Sequence, residues 1–395
     1  MQREGNGVRG MSGMSGMSGV RGMSGVSGVS GTSGISTDLR VDAIGRETGS
    51  LRSEPAARHR TAPSDPIPGP RTPSPHRGPR RPRRRLSRAA LTALLTGALV
   101  VPLSAAARPG IPAPPPAALP PLTAGTTAVV YAANRANAAT AARMAEAHGD
   151  HRRAAYDRAM ASPSRHLLAF DGRGSGRAVE VFGDLARAER VAVLVPGSDT
   201  TLDTYDRFRA TALALRDRLP RSRTAVVAWL GYAAPRTLST AVLTPTRAGE
   251  GATELERFVR GLHTLPIGRD PEVSLLCHSY GTVVCARAAG RVDAENLVLV
   301  GSPGTGADSV TDLGTRARVW AARGAEDWIA HVPHTRVSLF GATVGLGADP
   351  VSPGFGARVF AAGDGGHSDY FRPGSTSLAN LAHIVLGETA EVSRG

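Results

Sequence analysis

Residues 273–281 read Val-Ser-Leu-Leu-Cys-His-Ser-Tyr-Gly, and residues 282–290 read Thr-Val-Val-Cys-Ala-Arg-Ala-Ala-Gly. The first run is apolar up to its turn, as a strand buried on both faces must be. The second is rich in alanine and closed by Gly290, which marks a helix and its stop. Between them Cys277-His278-Ser279-Tyr280-Gly281 leaves no room for a loose loop. The chain must turn sharply there and lift the Ser279 hydroxyl above the end of the sheet, the geometry of a nucleophile elbow. Strand and helix approach closely in such a turn, so its flanking residues must be small. Gly281 satisfies this two positions after the serine. Cys277, two positions before it, stands where glycine is usual and is itself small and apolar. An ordinary strand-to-helix loop with an incidental serine is the plain alternative, and the strand–turn–helix context favours the elbow.

The same alternation extends in both directions. Residues 128–160 read as one or two helices, 166–171 and 176–184 as two strands joined by Gly-Arg-Gly-Ser-Gly, and 190–197 as a buried strand. An amphipathic helix over 200–218 precedes a strand over 224–232 and a helix over 252–262. After the elbow come strands at 296–304, 318–324 and 357–363, then a closing helix at 377–387. An opening hairpin followed by strand–helix units predicts an α/β fold, a mostly parallel eight-stranded sheet flanked by helices on both faces. Ligands in such sheets bind beyond the carboxyl ends of the strands.

A serine hydroxyl needs a base to take its proton and a carboxylate to orient that base. Asp327 follows the strand at 318–324. Glu326 is its rival, pointing to the other side of an extended backbone. His367 lies on the glycine-rich loop after the last strand, where the base belongs in the chain order Ser, acid, His. His331 and His334 are alternatives and, at that spacing, a conceivable metal pair without a third ligand. The backbone amide of Tyr280 and that of Ser198, in Pro196-Gly197-Ser198-Asp199, are the expected oxyanion donors. Helix capping by Ser198, Asp199 or Thr200 is the simpler use of that loop. His278 reads as structural, its side chain directed away from the substrate. No dinucleotide fingerprint or phosphate loop occurs in 126–395, so no cofactor is expected. Two cysteines are too few for a disulfide framework. Cys277 packs against Gly281 across the elbow and Cys285 lies one helical turn beyond Gly281 on the same face, so the two are expected to be neighbours, either as a disulfide or as two buried thiols.

Pro-Gly-Ser-Asp at 196–199, Gly-Tyr-Ala-Ala-Pro at 231–235, Cys-His-Ser-Tyr-Gly at 277–281, Gly-Ser-Pro-Gly at 301–304 and Gly-Gly-His-Ser-Asp-Tyr at 365–370 resemble an actinobacterial family of α/β-hydrolases without an assigned substrate. The resemblance covers residues 160–388. It implies the α/β-hydrolase fold, a Ser279–Asp327–His367 triad and a pocket shaped by Gly301-Ser302-Pro303. On these grounds the expected chemistry is serine hydrolysis of a carboxylic ester, acyl or lipid. An amidase or peptidase on the same triad, or a non-catalytic binding module, are the alternatives.

The first 110 residues differ in kind. Glycine recurs at every third position from Gly10 to Gly34 without proline, a collagen period with the wrong composition. Residues 1–85 are therefore expected to be disordered. Basic residues Arg80 to Arg88, apolar Ala89–Val101 and Ala105-Ala106-Ala107 have the order of a secretory signal over 86–107, which predicts a secreted or envelope location with membrane contact through 89–107, a membrane-anchored or a cytoplasmic protein being the alternatives. Residues 108–125 read as a Pro/Ala linker to a domain at 126–395. All 47 basic side chains are arginine, and the net charge is +14. Residues 1–110 hold 17 Arg and 6 acids, leaving only +3 on the remainder, which excludes a nucleic-acid surface there. The long connections at 233–250, 304–315 and 335–355 are candidate covers for the site.

Overall fold

A computed structural model describes residues 110–395 apart from 238–244, 266–269, 333–335 and 340–341. The glycine repeat, the arginine cluster and the apolar segment at 89–107 lie outside the described residues, as does His334.

Residues 110–123 contain neither helix nor strand, yet they are not a free linker. Ala113 and Leu122 pack against the hydrophobic core, and the Asn137 amide donates to the Pro115 carbonyl at 2.8 Å. This strap leads into α1 (Thr127–Ala147) and α2 (His151–Met160). The alanine-rich stretch divides at Gly149, and the Asp150 side chain caps α2 by accepting from the Arg153 amide at 3.0 Å.

The sheet has eight strands in the order β1-β2-β4-β3-β5-β6-β7-β10. They are β1 (Leu167–Asp171), β2 (Arg177–Phe182), β3 (Arg190–Val195), β4 (Thr224–Leu230), β5 (Glu272–His278), β6 (Asn296–Val300), β7 (Arg318–Ala322) and β10 (Arg358–Val359). β2 is antiparallel to both its neighbours, and the pairings from β4 to β10 are parallel. This is the α/β-hydrolase fold.

Side-chain alternation divides the core between the two faces of the sheet. Val193, Val227, Leu275 and Leu299 meet α4 (Pro245–Leu262) and α5 (Gly281–Ala288) on one face. Leu194, Ala228, Leu276 and Val298 meet α3 (Tyr205–Arg218) and α6 (Thr376–Leu386) on the other. Both faces being covered, these strands carry continuous apolar runs. α4 starts seven residues earlier than the expected 252, because burial of Ala248 beneath the sheet overrides the poor helix propensity of Gly249 and Gly251. Within 335–355, β8 (Arg336–Leu339) and β9 (Ala342–Gly345) pair as a separate antiparallel ribbon that strand periodicity in the sequence did not indicate. β10 is shorter than expected: Phe360 instead bridges to Arg394 near the C-terminus.

Candidate active site

β5 ends at His278, and Ser279 takes φ +53°, a left-handed conformation that costs a non-glycine residue about 1 kcal/mol or more. Hydrogen bonds hold the turn. The Ser279 amide donates to the Val300 carbonyl at 3.0 Å, and the Ser279 carbonyl accepts from the amide and hydroxyl of Thr282 at 2.9 and 2.7 Å. A Cβ on Gly281 would lie 2.5 Å from the Val195 carbonyl oxygen and 2.6 Å from that of Pro196, so only glycine lets α5 leave the turn this close to β3. Beneath the turn, Cys277 of β5 and Cys285 of α5 are joined by a disulfide, with Cα atoms 6.5 Å apart. Of the two alternatives left open by the sequence, the bonded one is present.

Ser279, Asp327 and His367 come from three separate loops and meet. The Ser279 hydroxyl lies 2.9 Å from His367 Nε2, and His367 Nδ1 lies 2.8 and 3.1 Å from the two carboxylate oxygens of Asp327. With its proton on Nδ1, facing the carboxylate, the imidazole turns a lone pair toward the serine. Asp327 is buried, whereas Glu326 is exposed. Burial by itself pushes the Asp327 carboxyl up. Hydrogen bonds from His367, from the Tyr370 hydroxyl and from the Ile329 amide outweigh it and hold the group below the usual carboxylate range. Tyr370 is itself held by the Gly324 amide, which donates to its hydroxyl at 3.1 Å. Burial and the neighbouring Asp327 carboxylate raise the phenol far above its ordinary value, so it stays a donor.

His278 is not merely turned away. Its Nε2 donates to the His367 carbonyl at 2.7 Å, and the two rings lie 4.8 Å apart. Desolvation first, then the adjacent imidazole, lowers its pKa from 6.5 to about 4.

The loop after β3 lies against the serine. A Cβ on Gly197 would fall 2.6 Å from Ser279 Cβ and 3.1 Å from its Oγ. Among the described residues, neither the Ser198 nor the Tyr280 backbone amide is engaged by an acceptor. Helix capping, the simpler use of this loop, falls instead to Thr201, whose amide donates to the Thr204 hydroxyl at 3.0 Å. The segment after β4 fixes the loop from behind. The Tyr232 hydroxyl donates to the Pro196 carbonyl at 2.6 Å, the Asp199 amide to the Pro235 carbonyl at 2.9 Å, and the Thr237 amide to the Asp199 carboxylate at 3.2 Å. The supporting roles of Tyr232, His278 and Tyr370 escape sequence reasoning, although all three stand within the motifs quoted from it. No group of three or more His, Cys, Asp or Glu side chains placed to hold a metal ion occurs among the described residues.

Residues 171–337 match the family model described as alpha/beta hydrolase. These residues belong to the alpha/beta hydrolase family. This hydrolase is 34% identical to an uncharacterised protein of Mycobacterium tuberculosis, over 56% of this chain and 39% of that protein. It is 32% identical to an uncharacterised protein of Mycobacterium bovis, over 41% of this chain and 66% of that one. The hydrolase thus spans about two fifths of the length of the first of these relatives. Among solved structures, a serine hydrolase without a lid from Xanthomonas campestris aligns with a TM-score of 0.37 at 16% identity, covering 58% of this chain and 95% of that chain. Carboxyl esterase 2 from the fungus Tuber melanosporum aligns with a TM-score of 0.37 at 10% identity, covering 57% and 86%.

Proposed function

We propose that this alpha/beta hydrolase cleaves carboxylic esters through a Ser279–His367–Asp327 triad and an acyl-enzyme. The observation that carries this is the continuous hydrogen-bonded line from the Ser279 hydroxyl through His367 to Asp327. His367 Nε2 takes the serine proton as Oγ attacks the carbonyl carbon. The Tyr280 and Ser198 amides receive the charge on the carbonyl oxygen. Collapse breaks the bond to the alcohol oxygen, which leaves with the proton from Nε2. Water then attacks the acyl carbon by the same route, giving the carboxylic acid and restoring the serine. Asp327 fixes the imidazole tautomer and stabilises the imidazolium, without itself taking a proton. Acyl and lipid esters are the proposed substrate class.

A fluorophosphonate probe should label the wild type and leave Ser279→Ala unlabelled, and Asp327→Asn should slow ester turnover by about 10⁴-fold in a folded protein. Equal labelling of Ser279→Ala would remove this serine from the reaction.

A further inference from the structure

The chain has three tryptophans. Trp229 and Trp320 are buried at 1% and 4% exposure, while Trp328 is 49% exposed and its ring lies 4.7 Å from the His367 imidazole. Trp328 directly follows Asp327 and opens a short 3-10 turn (Trp328–His331). The Asp327 carboxylate caps that turn by accepting from the Ile329 amide at 2.9 Å. One carboxylate therefore fixes both the imidazole and the segment that carries the indole.

The chemistry says what that indole meets. For the alcohol to depart, its oxygen must come within hydrogen-bond reach of His367 Nε2 to receive the proton. Its carbon substituent must then lie beside whatever flanks the imidazole, and Trp328 flanks it. In strand order, β5 with Ser279 lies between β3–β4 and β7 with Trp328. The cleft of about 420 Å³ on the β3–β4 side has charged residues of both signs in its lining, among them Arg152, Arg153, Arg236, Asp199 and Asp203.

We propose that Trp328 forms the leaving-group subsite and selects esters of apolar alcohols, aryl or long alkyl. This rests on the ester-hydrolase reading above. A half-exposed indole beside the breaking bond gains by being covered with an apolar chain or ring, and an aromatic partner adds a specific ring–ring contact.

Kinetics on methyl, butyl and benzyl butyrate, which share one acyl group, test the subsite. In Trp328→Ala the ratio of kcat/KM for the benzyl over the methyl ester should fall about tenfold, as loss of an apolar contact of this size does. Trp328→Phe should recover most of the ratio, and the rate of the common deacylation step should not depend on the alcohol. An unchanged ratio, or a defect that follows acyl-chain length instead, would overturn the proposal. A second measurement is independent of turnover. Iodide quenching of Ser279→Ala reports on Trp328 as the exposed indole, and benzyl alcohol should shield it. If no butyrate ester is hydrolysed by the wild type, the hydrolase reading falls by itself. Shielding then still supports the subsite, and its absence refutes it.

Discussion

Tyr370 stands three residues beyond His367 in sequence, but its hydroxyl reaches back across the loop to Asp327. Removing that donor in Tyr370→Phe leaves the carboxylate one hydrogen bond short, so its pKa climbs from its lowered position. A hydrogen bond to a charged group is worth about 1.5–3 kcal/mol, so kcat/KM should fall roughly tenfold or more. The acid limb of the pH–rate profile should move to higher pH, because a less satisfied carboxylate holds the imidazolium proton more tightly. A profile that drops uniformly without shifting would mean that the tyrosine only supports the loop. Ser279, Asp327 and His367 were legible because each stands in the segment that follows a strand, on the side of the sheet where such folds place their chemistry. Tyr370 and Tyr232 were not, since their value lies in contacts across 43 and 36 residues of chain that no local pattern encodes. Alternation places His278 away from the serine, but says nothing of a carbonyl 89 residues on that accepts its hydrogen bond.

The elbow depends on two elements crossing closely. Gly281→Ala would force α5 off β3, because the new methyl meets two carbonyl oxygens at under 3 Å. We expect a fall in thermal midpoint and the loss of most probe labelling at Ser279, checked on one preparation by calorimetry and fluorophosphonate gel. The disulfide across the same junction closes a loop with a sequence separation of 8, which on chain-entropy grounds stabilises by roughly 2–3 kcal/mol. Thiol titration of denatured, unreduced protein should find no free thiol per chain, and finding two would contradict the bond. The elements themselves were largely readable: apolar runs and glycine stops located all eight sheet strands. Their ends were not, because tertiary burial carries α4 through Gly249 and Gly251, and pairing with Arg394 draws Phe360 out of β10. The two strands of the β8–β9 ribbon have four residues each, and the alternation of Arg336-Val337-Ser338-Leu339 is too short to stand out from its surroundings.

At the scale of the whole chain, acid should loosen the fold through His278. His278 titrates near 6.5 when unfolded and about 4 in place. The unfolded chain thus takes up a proton that the folded one refuses. Stability from this group is complete above pH 6.5 and is lost as the pH falls toward 4, by about 3 kcal/mol over that span. His278→Gln, which keeps a donor for the His367 carbonyl, should flatten the decline seen in denaturant titrations between pH 7 and 4. The strap sets a second expectation. Because Ala113 and Leu122 join the core, a chain starting at 126 should melt at a lower temperature than one starting at 110. We further propose that the protein is exported and that its mature N-terminus falls between residues 105 and 112, upstream of the packed Ala113. Terminal sequencing of protein from the producing cell decides this, and an intact 89–101 in a soluble cytoplasmic fraction would refute it. No helix long and apolar enough to cross a membrane occurs among the described residues.

The bond between Cys277 and Cys285 also makes the protein's preparation history part of its identity. A sample drawn from a reducing cytoplasm and one drawn from an oxidising compartment would share every residue and differ by two hydrogens directly under Ser279. Rates measured on the two are measurements on different molecules. A batch that loses activity on storage in thiol reductant, and recovers it on air oxidation, would be behaving as this junction requires.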